Sequence, residues 1–240
     1  MKKYETVIFD LDDTLIDNHE SIKYAFKVVL RVLDINYSDI LLNKWKSHDT
    51  KYWHSWETGE LNVPRYITKL EDKITYLRAN RFIRFFKVLD LSFEDAVSLN
   101  EIYCNNLGVN IVEVKGANDL LSGINNDKEI VIATNGPKDA AINKLEKANL
   151  NSYVSLLVSS EEVGHSKPNS EFFDYMIYRC DNKNKDNMLL VGDSLSTDIL
   201  GGMNNNIDTC FYNPNNIVIP NTYKPTMSVN KLKELKRRLK

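Results

Sequence analysis

The chain has 240 residues, 42% hydrophobic and 27% charged, with 31 basic against 33 acidic side chains and a net charge of −2. That length accommodates one large domain or a core with a smaller module, and the balanced charge excludes the basic footprint of a nucleic-acid polymer binder. No apolar run reaches the roughly 20 residues of a membrane span, so no membrane partner is expected.

In "MKKYETVIFDLDD" carboxylates follow the first apolar stretch too soon for a secretory signal. The cysteines Cys104, Cys180 and Cys210 are too few and too scattered for a disulfide framework or a zinc knuckle. A reducing cytoplasm is the expected setting.

The first predicted strand is short, Thr6 to Asp10. From about His19 to Leu107 the pattern is helical, with apolar residues three and four apart in "YAFKVVLRVL", "YITKLEDKITYL" and "FEDAVSLNEIY". From about Val114 onward, apolar runs alternate with helical segments: "EIVIATNG", "VSLLVSS", "NMLLVGDS" and "DTCFYN". Unbroken apolar strands separated by helices predict a Rossmann-like parallel α/β sheet with helices on both faces. The stretch after strand 1 is too long for a simple crossover, so residues 18–112 are expected to form an inserted all-helical domain, and residues 1–17 with 113–240 the α/β core. A turn-rich loop, "NPNNIVIPNTYKP", precedes a last strand and helix, and "KLKELKRRLK" reads as a solvated amphipathic helix.

"FDLDDTL" puts three aspartates within four positions directly behind a buried strand. Like charges this close cost free energy unless something positive sits among them. A helix cap, a solvated turn and a metal site all compete as explanations. Ligands of open parallel sheets bind beyond the carboxyl ends of the strands, and each later strand also ends on reactive groups. After "EIVIA" come Thr134, Asn135 and Gly136; beyond "VSLLVSS" come Ser166, Lys167 and Pro168; after "NMLLV" come Gly192, Asp193, Ser194 and Asp198. Capping accounts for any one of these groups but not for their convergence on one sheet edge. Asp10, Asp12 and Asp193 offer hard oxygens that suit Mg²⁺, and Thr134 with the Asn135 and Gly136 amides suits an anion. With Lys167 at the same edge, this describes a phosphate-handling site.

"DLDDTL", "ATNG", "SKPN" and "GDSLSTD" resemble, in order and spacing, the four motifs of haloacid dehalogenase-like (HAD) hydrolases. The resemblance covers the core, about residues 1–17 and 113–230. It implies that Asp10 is the nucleophile forming an aspartyl-phosphate, and that Asp12 protonates the leaving oxygen and then deprotonates water. It also implies that Thr134 and Lys167 hold the phosphoryl oxygens. Mg²⁺ would be bound by Asp10, Asp193 and the main-chain carbonyl of Asp12, with Ser194 and Asp198 acting from behind the ligands. Asp12 separates phosphatases from dehalogenases, because an alkoxide leaving group needs a proton and a halide does not.

An insert between the first two motifs resembles the helical-cap subgroup, whose caps close over the site and choose the leaving group. Trp53, Trp56 and Arg81 are candidates for lining the substrate pocket; the competing reading puts the tryptophans in the insert's own core. "SSEEVGHSKPNSEFFDYM", "VGDSLSTDILGGMNN" and a Trp53 to Gly59 pattern followed by Arg81–Phe82 are similar to bacterial pyrimidine 5′-nucleotidases of the family. His165 departs from that pattern, standing where a small or apolar residue is usual. The expected substrate is a small phosphorylated metabolite, a nucleoside monophosphate. A sugar- or glycolate-phosphate phosphatase on the same core stays open, as does a non-catalytic phosphate-binding member. Walker, dinucleotide-binding, G-x-S-x-G and H-E-x-x-H motifs are absent from the sequence.

Overall fold

The computed structural model describes residues 3–57 and 59–239. In chain order the strand β1 (Thr6–Phe9) is followed by helices α1 (Asn18–Val32), α2 (Asp39–Glu57), α3 (Leu70–Phe85) and α4 (Phe93–Leu107). Then come α5 (Ala117–Ser122), β2 (Glu129–Thr134), α6 (Lys138–Lys147), β3 (Leu156–Ser159), α7 (Ser160–Val163), α8 (Ser170–Arg179) and β4 (Met188–Gly192). A π-helical turn, Leu195–Ile199, leads into α9 (Leu200–Asn204), β5 (Asp208–Tyr212), β6 (Met227–Val229) and α10 (Leu232–Leu239). By internal contacts the chain separates into two compact units, one running to His19 and resuming at Ile111, the other Glu20–Asn110.

The first unit is a parallel sheet in the order β3-β2-β1-β4-β5-β6 among the described residues. Side chains alternate between the two faces of each strand, and both faces are covered, so apolar residues fill consecutive positions rather than every second one. Val7 and Phe9 of β1, Ile130 and Ile132 of β2, and Leu189 and Val191 of β4 enter one core with α5, α6 and α10. Ile8, Val131, Ala133, Met188 and Leu190 enter the other, against Phe172, Phe173, Met176 and Ile177 of α8. The basic tail docks as α10 through Leu232, Leu235 and Leu239, all buried. Each such leucine is worth roughly 1.5–3 kcal/mol on burial, whereas the exposed Lys236–Asp119 pair contributes about 1 kcal/mol at most. The apolar stripe therefore holds this helix. Where the first unit is interrupted, its chain ends are tied together, Asp17 N–H donating to Val112 O at 2.8 Å and Val114 N–H to Leu15 O at 2.9 Å.

The second unit is helical. Ala25, Phe26, Val29 and Leu30 of α1 follow the predicted three-and-four spacing and meet Leu42 and Trp45 of α2, Phe82 of α3 and Leu99 and Tyr103 of α4. Trp45 stacks on Phe26 at 5.4 Å between centroids and donates from Nε1 to the Tyr103 hydroxyl at 3.2 Å. Helical character predicted from Tyr66 begins only at Leu70; the preceding Asn62-Val63-Pro64 stretch sets the chain up for a turn instead. No described helix is long and apolar enough to cross a membrane.

Candidate active site

Asp10 is the first residue beyond β1, and its N–H donates to Val191 O at 2.9 Å, tying it to the end of β4. Lys167, with its side chain 1% exposed, directs its ammonium at Asp10 Oδ1 (2.7 Å), Asp198 Oδ1 (2.7 Å) and Ala133 O (2.6 Å). All three ammonium protons are thereby engaged. Asp198 accepts at its other oxygen from Ser194 N–H at 3.1 Å, so both its oxygens are occupied. Its seat depends on Gly192, where a Cβ would overlap the Asp198 carboxylate. The π-helical turn that presents Asp198 was invisible in the sequence pattern; Ser194 caps it, accepting from Thr197 N–H at 3.3 Å.

Asp10, Asp193 and Asp198 each present a carboxylate oxygen within 4.8 Å of the others. Three acids here face the single ammonium of Lys167, and the electrostatics follow. Burial pushes Asp10 well above the usual carboxylate range; Lys167 pulls it down, while Asp198 and Asp193 add to the rise. Asp193 is pushed up to about 7, first by burial and then by Asp198 and Asp13. Burial alone would lower Lys167, but Asp10 and Asp198 hold it above its ordinary value, so it stays charged. An all-oxygen donor set with surplus negative charge suits a small hard divalent cation. Mg²⁺ fits these residues.

Thr134 ends β2, and its Oγ accepts from the Gly136 N–H at 2.9 Å. The Asn135 side chain is turned to the Lys167 backbone, accepting from its N–H at 2.8 Å and donating to its carbonyl at 3.0 Å. Asp12 is half-buried and meets Lys144 of α6, whose Nζ donates to Asp12 Oδ1 and, at 3.1 Å, to Asn18 Oδ1. Thr14 donates to Asp193 Oδ1 at 3.3 Å.

Lys144, and the clamp formed by Asn135, were missed in the sequence. Lys144 left a trace: it shares the inward face of α6 with Ala141 and Leu145, three before and one after it. His165 is exposed in the loop before Lys167.

In the helical unit, Trp53 and Trp56 are half-buried against Tyr52, Leu61 and Leu77. Arg81 is buried, its guanidinium donating to Asp49 at 2.7 Å and Asn100 at 3.0 Å beneath the rings of Trp45, Phe82 and Tyr103. Its Nε is buried without a hydrogen-bond partner.

Residues 4–204 match the family model described as haloacid dehalogenase-like hydrolase. The chain belongs to the HAD-like hydrolases. Among curated members it is 30% identical to the pyrimidine 5′-nucleotidase YjjG of Escherichia coli, covering 99% of this chain and 98% of that one. It is also 30% identical to the pyrimidine 5′-nucleotidase PynA of Streptococcus pneumoniae, over 97% and 93% of the two chains. A solved structure of the HAD-hydrolase YfnB from Bacillus subtilis, bound to magnesium, superposes with a TM-score of 0.85 at 26% identity, covering 99% of both chains.

Proposed function

We propose that this HAD-like hydrolase is an Mg²⁺-dependent phosphomonoesterase that acts through an aspartyl-phosphate and takes pyrimidine nucleoside monophosphates as substrates. The observation that carries this reading is the Lys167 ammonium between Asp10 and Asp198, with Asp193 completing an oxygen cluster and a further acid, Asp12, two residues along. Asp10 and Asp193 would hold Mg²⁺ together with the main-chain carbonyl of Asp12. When bound, the ion supplies positive charge that keeps the clustered carboxylates ionised and offsets charge on the phosphoryl oxygens.

In the first displacement an Asp10 carboxylate oxygen attacks phosphorus, the bond to the leaving oxygen breaks, and Asp12 gives that oxygen a proton. In the second, water attacks the aspartyl-phosphate, Asp12 takes a proton from the water, and the bond between phosphorus and Asp10 breaks to release phosphate. Two modest barriers replace one high barrier. Lys167 orients Asp10 and draws its titration down against the effect of burial. Thr134 with the Asn135–Gly136 turn receives the phosphoryl oxygens, and Ser194 and Asp198 support Lys167 from behind.

Two relatives that are pyrimidine 5′-nucleotidases over nearly their whole length support the substrate class. The helical unit is the proposed cap, with Trp53, Trp56 and Arg81 the residues proposed to shape specificity. A cytoplasmic setting suits a metabolite of this kind.

The test is phosphate release from nucleoside monophosphates and sugar phosphates, with Mg²⁺ or EDTA and with Asp10→Asn as the blank. Metal-dependent release favouring UMP, dUMP or dTMP, absent in the blank, is the expected result. Release confined to sugar or glycolate phosphates would replace the substrate and keep the chemistry. No turnover even of p-nitrophenyl phosphate would remove the catalytic assignment.

A further inference from the structure

We propose that Lys144 is the positioning residue for Asp12, an inference that rests on the phosphatase reading above. Its side chain is 5% exposed, and its ammonium is shared between Asp12 Oδ1 and Asn18 Oδ1. Ala141 and Leu145, its neighbours on the inward face of α6, are buried apolar residues. A leucine or methionine at 144 would continue that stripe and avoid the several kcal/mol of desolvation an ammonium costs there. The ammonium is accommodated because it meets an aspartate of the first motif.

The geometry divides the two oxygens of Asp12. Oδ1 is anchored by Lys144. Oδ2 lies against the turn that follows β2, where a Cβ added to Gly136 would stand 3.6 Å from Asp12 Oδ2 and 3.2 Å from Thr134 Oγ. Anchoring one oxygen fixes the rotamer and so aims the other at the place where Thr134 and Gly136 would receive a phosphoryl group. An acid that must hand a proton to a leaving oxygen works only within hydrogen-bond reach of it, and a misplacement of about 1 Å costs on the order of a hundredfold in rate. Lys144 thus acts through Asp12, touching neither phosphorus nor the leaving group. Asn18 holds the ammonium from its other side, so the anchor is not free to follow Asp12.

The leaving group separates this role from mere support of the fold. p-Nitrophenolate departs without a proton, whereas the 5′-alkoxide of a nucleoside needs one. Hydrolysis of the aspartyl-phosphate is common to all substrates, so the comparison is made on kcat/KM, which reports the first displacement. In Lys144→Gln it is expected to fall about thirtyfold to a hundredfold with dTMP and less than about fivefold with p-nitrophenyl phosphate. Lys144→Arg should recover most of the dTMP rate. In an Asp12→Asn background, adding Lys144→Gln should cost nothing further, since the lysine has lost what it positions. Equal losses of kcat/KM on both substrates, or additive losses in the double variant, would each overturn the inference. Turnover of p-nitrophenyl phosphate reports that the variant is folded, and Lys144→Arg preserves the test if the glutamine variant is not. Should wild type hydrolyse nothing, the phosphatase reading falls and this inference with it. If Asp12→Asn shows the leaving-group dependence and Lys144→Gln does not, only the lysine's role falls.

Discussion

The side-chain amide of Asn135 holds Lys167 by both backbone groups, accepting from its N–H at 2.8 Å and donating to its carbonyl at 3.0 Å. A residue at the end of one strand thus locks the loop that brings the ammonium to Asp10, 32 residues further along the chain. Asn135→Ala removes both bonds. Stability should drop by about 1–3 kcal/mol, and kcat/KM by about tenfold through the loosened lysine. Urea unfolding and steady-state kinetics read the two effects; unchanged kinetics in a destabilised variant would show that the clamp serves only the fold.

Gly192 makes room for the Asp198 carboxylate. Gly192→Ala forces Asp198 away from Lys167 and Ser194, because the added methyl meets a nearly immobile, fully buried acid rather than the end of a flexible chain. Overpacking of this kind costs about 1–3 kcal/mol. The expected outcome is a folded protein whose kcat is at least about a hundredfold lower. Circular dichroism checks the fold and phosphate release the rate; wild-type turnover would mean the lysine tolerates the shift.

Asp193 is pushed up to about 7 by burial and its acidic neighbours. A carboxyl raised this way contributes stability below its unfolded value of 3.8, and that contribution is lost as the pH climbs to about 7. The metal-free protein should therefore lose stability across this window on account of Asp193. A cation at the cluster must displace that proton below about pH 7, so its apparent affinity falls by up to about tenfold per pH unit. The rise in Tm on adding Mg²⁺ should be larger at pH 7.5 than at pH 5.5, and Asp193→Asn should diminish it at both. An equal rise at both values in the wild type would count against metal binding at Asp193.

Arg81 and Asp49 form an ion pair inside the helical unit, with the arginine side chain 7% exposed. Burial works against the Arg81 charge, but Asp49 together with Tyr103 and Cys104 more than offsets it and the pKa is raised. Arg81→Met strands the Asp49 charge and should destabilise the protein by about 3 kcal/mol. Pairing it with Asp49→Asn should recover part of that loss. Strict additivity in chemical denaturation would show that the pair is not energetically coupled.

The parallel sheet was legible because its strands are unbroken apolar runs, a pattern that only burial on both faces explains. Asp10, Asp193 and Lys167 were legible as candidates because each follows such a run. Leu232, Leu235 and Leu239 were equally readable at helical spacing. The start of α3 was not, since "YITK" shares the apolar spacing of the helix it precedes. Nothing in the four motifs hinted that Asn135 would turn its side chain to the Lys167 backbone, or that Asp198 would rise from a π-helical turn.

Residue order alone determined which groups stand at strand ends, because hydrophobic periodicity and strand polarity are local properties of the chain. Tertiary structure alone decided their partners. Asp12 and Lys144 lie 132 residues apart, and no local pattern states that α6 docks with its one inward lysine facing the first motif. Packing makes that choice: helices are placed by the apolar area they bury, and a charge carried inward must find its counter-charge wherever the docking leaves it.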